Sequence, residues 1–432
     1  MVNEKKHTFQ NKIFSFESFS NHLTDKTFKE FNQELIKLDI DSKIDGLIKG
    51  LKVNYTEDRG AWHAKYRASH SYSPTRDISK YLKGSIFDEI KNIVVIGIGG
   101  SYIGTKLLYE SLVGDKNKWN TIFLTGSDLN EFHEKISNLN KKETIFIVAS
   151  KSFKTDETIS LMKKAISWSG DINKFIAITS IKSNVIEYGL KNIIEFDEEI
   201  GGRYSIWSDI SIPAFINLNN EVDEFINGGH QADLDLQDNE EYFNFVKTMS
   251  FTDIWNNNFN GINVRAILSY SWKLRSFPEY VQQLEMESLG KHPSNKSDFK
   301  KTGQIIFGGY GPKAQHSYFQ LLYQGTQKLC ADLIASKDDK NSLAYIQAIS
   351  QSKLLSSGIK EITHNNENIR INGNVPVNIF LINKINAYSL GYLIATWEHR
   401  TFLTAALLQI NPFDQFGVNA GKILAKEFNK DN

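Results

Sequence analysis

The sequence lacks the features that mark secreted, zinc-bound or membrane-spanning proteins. Its 432 residues include one cysteine, Cys330, so neither an intramolecular disulfide nor a zinc site built on cysteines can form. No apolar run approaches the length of about 18 residues that a membrane helix needs, and no apolar signal segment follows the charged N-terminus. The ten histidines are scattered and form no HxH or HExxH pair. We therefore expect a soluble, cytoplasmic protein without a tightly held transition metal.

An excess of charge of one sign is missing as well. Fifty basic residues balance fifty acidic ones, which gives a formal net charge of zero. A balanced chain argues against nucleic acid or an anionic membrane as a partner. Hydrophobic residues make up 41% of the chain and aromatic residues 12%, enough to build a sizeable core. The length allows about two or three domains.

Short apolar runs alternate with helix-length amphipathic segments between about residues 90 and 200. The runs IVVIGI, TIFLT, TIFIVAS and FIAITS are typical of strands in a parallel, doubly wound sheet. A weaker alternation from about 240 to 400, with strand candidates at 304–308 and 377–382, predicts a second sheet. We expect an α/β fold of two such domains packed together, 51–235 and 236–400. Residues 1–50 and 401–432 are predicted to be helical segments.

A glycine cluster that carries a serine follows the first apolar run. Gly97, Gly99, Gly100 and Ser101 stand between this predicted strand and a helix-compatible segment. Bare backbone N–H groups at the start of a helix bind anions, above all phosphate. The loop therefore predicts a phosphate site, although a structural turn without a ligand is an open alternative.

A dinucleotide fingerprint, GxGxxG, is a second alternative for this loop. Its third glycine position holds Tyr102 instead. The acidic residue expected near the end of the second strand would be Asp128, which comes late and follows a Gly-Ser turn. Both departures argue against a nicotinamide cofactor.

The third apolar run leads into a second loop that is rich in hydroxyl groups. Ser150, Ser152, Thr155 and Thr158 cluster around Lys151 where a helix is predicted to begin. One of the threonines could simply cap that helix, but capping needs a single hydroxyl. Because loops that leave the carboxyl ends of parallel strands meet at one edge of a sheet, we expect this loop and the glycine loop to share one phosphate site.

Three further segments contain single candidates for chemistry. In GGRYSIWS, paired glycines precede Arg203 and let a fixed cation point at a ligand. In QQLEMESLGK, Glu285 and Glu287 point about 200° apart on a helix, so they do not form a shared carboxylate pair. His316 and Lys422 lie in helical segments, where a core histidine and an exposed lysine are the ordinary interpretations. An exposed acidic turn is likewise the alternative for the two glutamates.

Together these motifs resemble those of the phosphoglucose isomerase family. Six occur in the family's order from about 94 to 422: VVIGIGGSYIG, SKSFKTDET, GGRYSIWS, QQLEMESLGK, AQHSYFQLLYQGT and INPFDQFGVNAGK. The segment TEDRGAWHAKYR at 56–67 also resembles the N-terminal part of the family's sequences. The resemblance implies two sugar-isomerase-type domains. It also implies reversible conversion of glucose 6-phosphate to fructose 6-phosphate, in glycolysis and gluconeogenesis, with no metal and no organic cofactor.

The resemblance also implies roles for individual residues. The residues that hold the phosphate in the family are matched by Ser101, Ser150, Ser152 and Thr155. Gly100 and Lys151 lie in the same two loops. Glu287 matches the base that moves a proton between C2 and C1 by way of an enediolate. Arg203 and Gln283 match neighbours of that intermediate, and Gln415 lines the site.

Ring opening of the sugar is credited in the family to two residues, matched here by His316 and Lys422. The family's histidine comes from the other subunit, which implies a homodimer with His316 supplied across the interface.

The chain departs from the family's usual pattern at a few places near these motifs. Leu289 replaces an asparagine, Tyr323 a histidine and Lys154 a threonine, and the loop 309–314 differs in sequence. None of these changes removes a residue with an implied role. Two alternatives stay open: a phosphosugar-binding regulatory protein without turnover, and an isomerase or epimerase for another phosphosugar.

Overall fold

Two α/β lobes, each built on one sheet, make up the computed structural model, which describes residues 7–68, 89–114, 118–218, 220–338, 340–359, 370–418, 420–421 and 424. The strands are β1 (His7–Gln10), β2 (Phe14–Phe19), β3 (Asn92–Ile96), β4 (Asn120–Leu124), β5 (Thr144–Ala149), β6 (Phe175–Thr179), β7 (Asn192–Glu195), β8 (Val264–Ser269), β9 (Ile305–Tyr310), β10 (Cys330–Ser336) and β11 (Val377–Ile382).

The α-helices alternate with these strands through both lobes. They are α1 (Asp25–Lys37), α2 (Ile40–Ile48), α3 (His63–Ala68), α4 (Ile103–Leu108), α5 (Leu129–Ile136), α6 (Asp156–Ser169), α7 (Lys182–Ile186), α8 (Ile212–Phe215), α9 (Glu221–Asp238), α10 (Glu240–Asn258), α11 (Phe277–Leu289), α12 (Gly311–Ala314), α13 (Phe319–Gln324), α14 (Leu343–Ser357) and α15 (Ala387–Leu408). Two 3-10 helices, Gly99–Ser101 and Gly202–Trp207, lie beside the site described below. None of the described helices combines the length and the apolar composition that a membrane span requires.

The first sheet is parallel throughout, in the order β4-β3-β5-β6-β7. Its central strands are fully buried because helices cover both faces, which explains their unbroken β-branched runs. Val94 packs into the core on one face and Val95 into the core on the other. This sheet confirms the predicted doubly wound domain and brings the ends of β3 and β5 to the same edge.

The second sheet has the order β1-β2-β11-β10-β8-β9. Its strands β8 to β11 are parallel, as predicted, but an antiparallel hairpin of β1 and β2 extends it. The prediction of a helical segment at 1–50 therefore holds for α1 and α2 and is wrong for residues 7–19. Alternate phenylalanines explain the difference, since Phe9 stacks on Phe245 at 4.5 Å and Phe16 lies 5.0 Å from Phe380.

Helix α15 is buried along almost its whole length between the lobes. Glycines let it approach α9, because a Cβ atom at Gly228 would lie 1.9 Å from the carbonyl oxygen of Tyr388. The predicted domain boundaries at 235/236 and 400/401 fall within these two helices, so neither is a linker. The division into domains otherwise stays a prediction.

A buried ion pair joins α3 to the two helices just described. Arg67 donates to both carboxylate oxygens of Asp233, at 2.8 and 2.6 Å, and to Glu398 at 2.5 Å. His399 Nε2 lies 2.9 Å from the same Asp233 carboxylate. Burial alone would raise the pKa of Asp233, but Arg67 and His399 outweigh it and lower the pKa to about 2. The pair therefore stabilises the fold only while Asp233 is ionised.

Candidate active site

The glycine loop after β3 packs tightly against the segment that contains Arg203. Gly99 has φ of 56°, a left-handed conformation that favours glycine. A Cβ atom at Gly100 would lie 2.2 Å from the carbonyl oxygen of Gly202, and Ser205 donates from Oγ to the carbonyl of Gly100 at 3.0 Å. The glycines are thus required by close backbone contact, and Ser101 lies half-buried at the end of the loop.

The second loop follows β5 and leads into the 14-residue helix α6. Ser150 Oγ accepts a hydrogen bond from the backbone of Phe153 at 3.2 Å and lies 3.3 Å from Thr155 Oγ1. Thr155 stands at the N-cap position, yet its side chain makes no capping hydrogen bond. The capping alternative is therefore not what the structure contains. Hydroxyl groups and the positive end of a helix dipole meet in this loop instead.

Lys151 belongs to this loop, but its ammonium group faces another part of the chain. Nζ donates to the carbonyl oxygen of Glu198 at 2.6 Å, and Arg59 donates to the same oxygen at 2.9 Å. Burial, and after it the nearby Arg59 cation, lower the pKa of Lys151 to about 8. The backbone of Lys151, between Ser150 and Ser152, is the part that borders the hydroxyl groups.

Arg203 lies at the centre of the site and is 2% exposed. Its Nε donates to Ser288 Oγ at 2.7 Å, and Nη1 donates to Gln415 Oε1 at 2.9 Å. Nη2 donates to the backbone carbonyls of Pro412 and Asp414, at 2.5 and 2.8 Å. One guanidinium therefore links the first lobe, helix α11 and the C-terminal loop.

Glu287 and Gln283 occupy one face of α11, one turn apart. A carboxylate oxygen of Glu287 lies 3.3 Å from Arg203 Nη1, and its other oxygen accepts from Gln283 Nε2 at 3.2 Å. Gln283 also borders the glycine loop, because a Cβ atom at Gly99 would meet its Nε2 at 3.3 Å. The side chain of Glu287 is 25% exposed, so its carboxylate remains partly open to solvent. The structure thus brings the predicted base next to the predicted phosphate loop.

Glu285 points away from Arg203 and Glu287, as its position on the helix predicts. Its carboxylate pairs with Arg265 of β8, and both side chains are buried. Burial raises the pKa of Glu285, and the Arg265 cation opposes that shift. The two glutamates therefore sit on opposite faces of α11, and only Glu287 faces the site.

Comparison with known proteins agrees with this arrangement. The model of the family described as phosphoglucose isomerase matches residues 75–432. The chain belongs to the phosphoglucose isomerase family. A protein of Legionella pneumophila (strain Paris) named glucose-6-phosphate isomerase is 34% identical over 442 residues, covering 93% of this chain and 88% of that protein. One of Wigglesworthia glossinidia brevipalpis with the same name is 33% identical over 94% of this chain and 84% of its own length.

Solved structures show the same fold. A glucose-6-phosphate isomerase from Chlamydia trachomatis has a TM-score of 0.85 at 22% identity, covering 98% of this chain and 89% of that one. A hypothetical protein from Thermus thermophilus has a TM-score of 0.72 at 16% identity and covers 95% of this chain and 99% of that one. At these identities the comparison establishes the sugar-isomerase-type architecture.

The family's C-terminal motif folds back onto the N-terminal motif in this member. Asp414 pairs with Lys291 Nζ at 3.0 Å and accepts a hydrogen bond from Thr56 at 2.7 Å. Lys291 also donates to the carbonyl of Glu287 at 2.9 Å. Sequence reasoning missed Lys291, Asp414, Thr56 and Ser288, although all four lie inside the quoted motifs. Their positions in those motifs were the only available signal.

His316, one of the two predicted ring-opening residues, is not joined to this cluster. His316 is exposed in the turn after α12. Its backbone N–H donates to the carbonyl of Lys313 at 3.1 Å. Lys422 lies outside the described residues. Among the described residues, no hydrogen bond or ion pair joins His316 to Glu287 or Arg203.

The position of Asp128 argues against a dinucleotide-binding site in the first lobe. Asp128 is the N-cap of α5, where its carboxylate accepts from the backbone N–H of Asn130 at 2.9 Å. It lies four residues beyond the end of β4 and serves its own helix. Among the described residues, no group of three or more histidine, cysteine, aspartate or glutamate side chains is placed to hold a metal ion.

Proposed function

We propose that this chain catalyses the reversible conversion of glucose 6-phosphate to fructose 6-phosphate. The observation that carries the proposal is the contact of Glu287 with Arg203 at 3.3 Å, beside the hydroxyl-bearing loops of the first sheet. Relatives that cover most of the chain are named glucose-6-phosphate isomerase. The enzyme would act in glycolysis and gluconeogenesis, in the cytoplasm.

The phosphate of the sugar would bind between the two loops at the edge of the first sheet. The predicted contacts come from four hydroxyl side chains and the adjacent backbone: Ser101, Ser150, Ser152, Thr155 and the N–H groups of Gly100 and Lys151. The N-terminal dipole of α6 favours a doubly charged group there. Binding energy at this end would hold the reacting carbons in register with Glu287.

Glu287 would take the proton from C2 of the open-chain aldose and return it to C1. A positioned general base of this kind contributes roughly 10²–10⁴-fold to a rate. The enediolate formed on the way carries negative charge on its oxygens, and Nη1 of Arg203 is the cation beside them. Gln283, bonded to the Glu287 carboxylate, would keep the base pointed at the substrate. No step in this sequence needs a metal or an organic cofactor.

Ring opening would require an acid at the ring oxygen and a base at the anomeric hydroxyl. We assign these tasks to His316 and Lys422, as the resemblance implies. The exposure of His316 supports its donation to a neighbouring subunit, so the functional unit would be a homodimer.

A coupled assay tests the proposal. Fructose 6-phosphate should yield glucose 6-phosphate in the presence of EDTA, detected through a dehydrogenase specific for the product. Binding of both phosphosugars without turnover would favour a regulatory protein instead. Turnover of a different phosphosugar alone would favour the other open alternative, an isomerase or epimerase for that sugar.

A further inference from the structure

Each of the three nitrogens of the Arg203 guanidinium lies beside an acceptor. An arginine side chain carries five N–H donors, one on Nε and two on each terminal nitrogen. Nε faces Ser288 Oγ, and Nη2 faces two backbone carbonyls of the C-terminal loop. Nη1 faces the side chains of Gln415 and Glu287. Only the Nη1 edge therefore meets groups that a substrate can displace.

Ser288 helps to hold the Arg203 guanidinium in the orientation that presents its Nη1 edge. It follows Glu287 directly on α11, so the two side chains point about 100° apart, with Glu287 partly exposed and Ser288 buried in the protein. Ser288 is fully buried, and its hydroxyl lies 2.7 Å from Arg203 Nε. Rotation of the guanidinium would break this bond together with the two Nη2 bonds to the C-terminal loop, so the serine contributes to the direction of Nη1.

Tyr204 holds Ser288 in turn. Its hydroxyl lies 3.0 Å from Ser288 Oγ, and its ring stacks on His63 with the ring centres 4.5 Å apart. Burial raises the pKa of Tyr204 to about 12, so the phenol stays protonated at neutral pH. Two consecutive residues of one lobe, Arg203 and Tyr204, are thus tied to the single hydroxyl of Ser288 on the other.

We infer that Ser288 is a positioning residue for the reaction, acting through Arg203 to keep the Nη1 edge directed at the charge that develops on the substrate. This inference rests on the proposed function. Without the hydroxyl, the guanidinium keeps its charge but loses the hydrogen bond that holds its Nε in place. A misplacement of about 1 Å in such a site can cost roughly 10²-fold in rate. The loss should appear in kcat, because the phosphate loops that bind the substrate are untouched.

The test compares Ser288→Ala with Ser250→Ala, a matched control. Ser250 is an equally buried helical serine whose hydroxyl bonds to the carbonyls of Val246 and Arg400, away from the site. Ser288→Ala should lower kcat by about tenfold to hundredfold with little change in KM. Ser250→Ala should keep the wild-type kcat. Equal losses in both variants, or an unchanged kcat in Ser288→Ala, would overturn the inference.

A double-variant cycle separates positioning from a structural role. In an Arg203→Lys background, the further change Ser288→Ala should have little additional effect on kcat, because the group that it orients is gone. Independent, multiplying losses would contradict the inference. If Ser288→Ala does not fold, Tyr204→Phe removes only the second partner of the hydroxyl and should still lower kcat several-fold. An unchanged kcat in Tyr204→Phe would then overturn it.

The activity of the wild-type protein distinguishes a failure of the proposed function from a failure of the positioning inference. A wild-type protein that does not interconvert the two sugars refutes the proposed function. An active wild type together with an unaffected Ser288→Ala refutes the positioning inference alone.

Discussion

The carboxylate of Glu287 lies 3.3 Å from Nη1 of Arg203, and the two residues come from different lobes. Glu287 is on helix α11 beside the second sheet, whereas Arg203 follows the first sheet. The cation is held by Ser288 and by carbonyls of the C-terminal loop, so its position does not depend on the glutamate. A carboxylate and a fixed positive charge thus meet where the two lobes come together.

Replacement of Arg203 by lysine should separate charge from geometry. Lysine keeps the positive charge but offers three donors at one point, so it cannot reach the same set of acceptors. Arg203→Lys should lower kcat by roughly 10²–10³-fold. It should also speed proteolysis of the loop at 412–415, which is anchored by three hydrogen bonds from Arg203. Arg275→Lys is the control: Arg275 makes a peripheral pair with Glu110 at 3.2 Å, and its replacement should keep kcat close to wild type. Wild-type kcat in Arg203→Lys would contradict the assigned role.

The phosphate loops should control substrate affinity before rate. Removing the hydroxyls in Ser101→Ala/Thr155→Ala deletes two hydrogen bonds to a charged group, each worth about 1.5–3 kcal/mol. We expect KM for fructose 6-phosphate to rise at least tenfold and inhibition by inorganic phosphate to weaken in parallel. Ser160→Ala, an exposed serine on the same helix α6, is the control and should change neither value. Unchanged kinetics in the double variant would rule out the shared phosphate site.

Hybrid dimers test whether His316 crosses between subunits. His316→Ala and Glu287→Gln homodimers should each be nearly inactive. A hybrid of the two would contain one site with a wild-type Glu287 and a partner's wild-type histidine, so activity should return in purified hybrids with two different affinity tags. Hybrids as inactive as their parents would show that both residues act within one subunit. An active monomer in sedimentation equilibrium would refute the dimer itself.

Acid should weaken the fold through Asp233. Its pKa is lowered from 3.8 to about 2 in the folded state, so the pair with Arg67 contributes its full stability above the unfolded pKa. That contribution, about 2 kcal/mol, is lost as pH falls through the folded pKa. Denaturant unfolding at several pH values, compared with Asp233→Asn, isolates it. The variant should be less stable at pH 7 and should show a shallower loss between pH 4 and 2. Parallel profiles would contradict the assignment.

The sequence was sufficient to predict the α/β fold and most of the first sheet. Apolar runs predicted β3 to β6 because strands buried on both faces leave little choice of residue type. The family resemblance implied that Ser150, Arg203 and Glu287 serve one site. The structure brings Glu287 to Arg203 and the loop around Gly99 to Gln283. The roles of these residues in catalysis stay predictions.

What could not be predicted depends on contacts between distant segments. The hairpin at residues 7–19 was mistaken for helix because its phenylalanines are matched only by Phe245 and Phe380. Ser288 was overlooked because a buried serine in a helix carries no signal of its own. Its partner Arg203 is 85 positions away in the chain, and only the fold joins them.

The most direct test follows the proton itself. Incubation of glucose 6-phosphate with the wild-type protein in D₂O, monitored by NMR, should introduce deuterium at C1 of fructose 6-phosphate and at C2 of recovered glucose 6-phosphate. Glu287→Gln should lose this exchange together with turnover, by roughly 10²–10⁴-fold, while it still binds the substrate. Glu279→Gln, a change on the same helix at a residue paired with Lys106, should exchange like wild type. Exchange at the wild-type rate in Glu287→Gln would contradict the account.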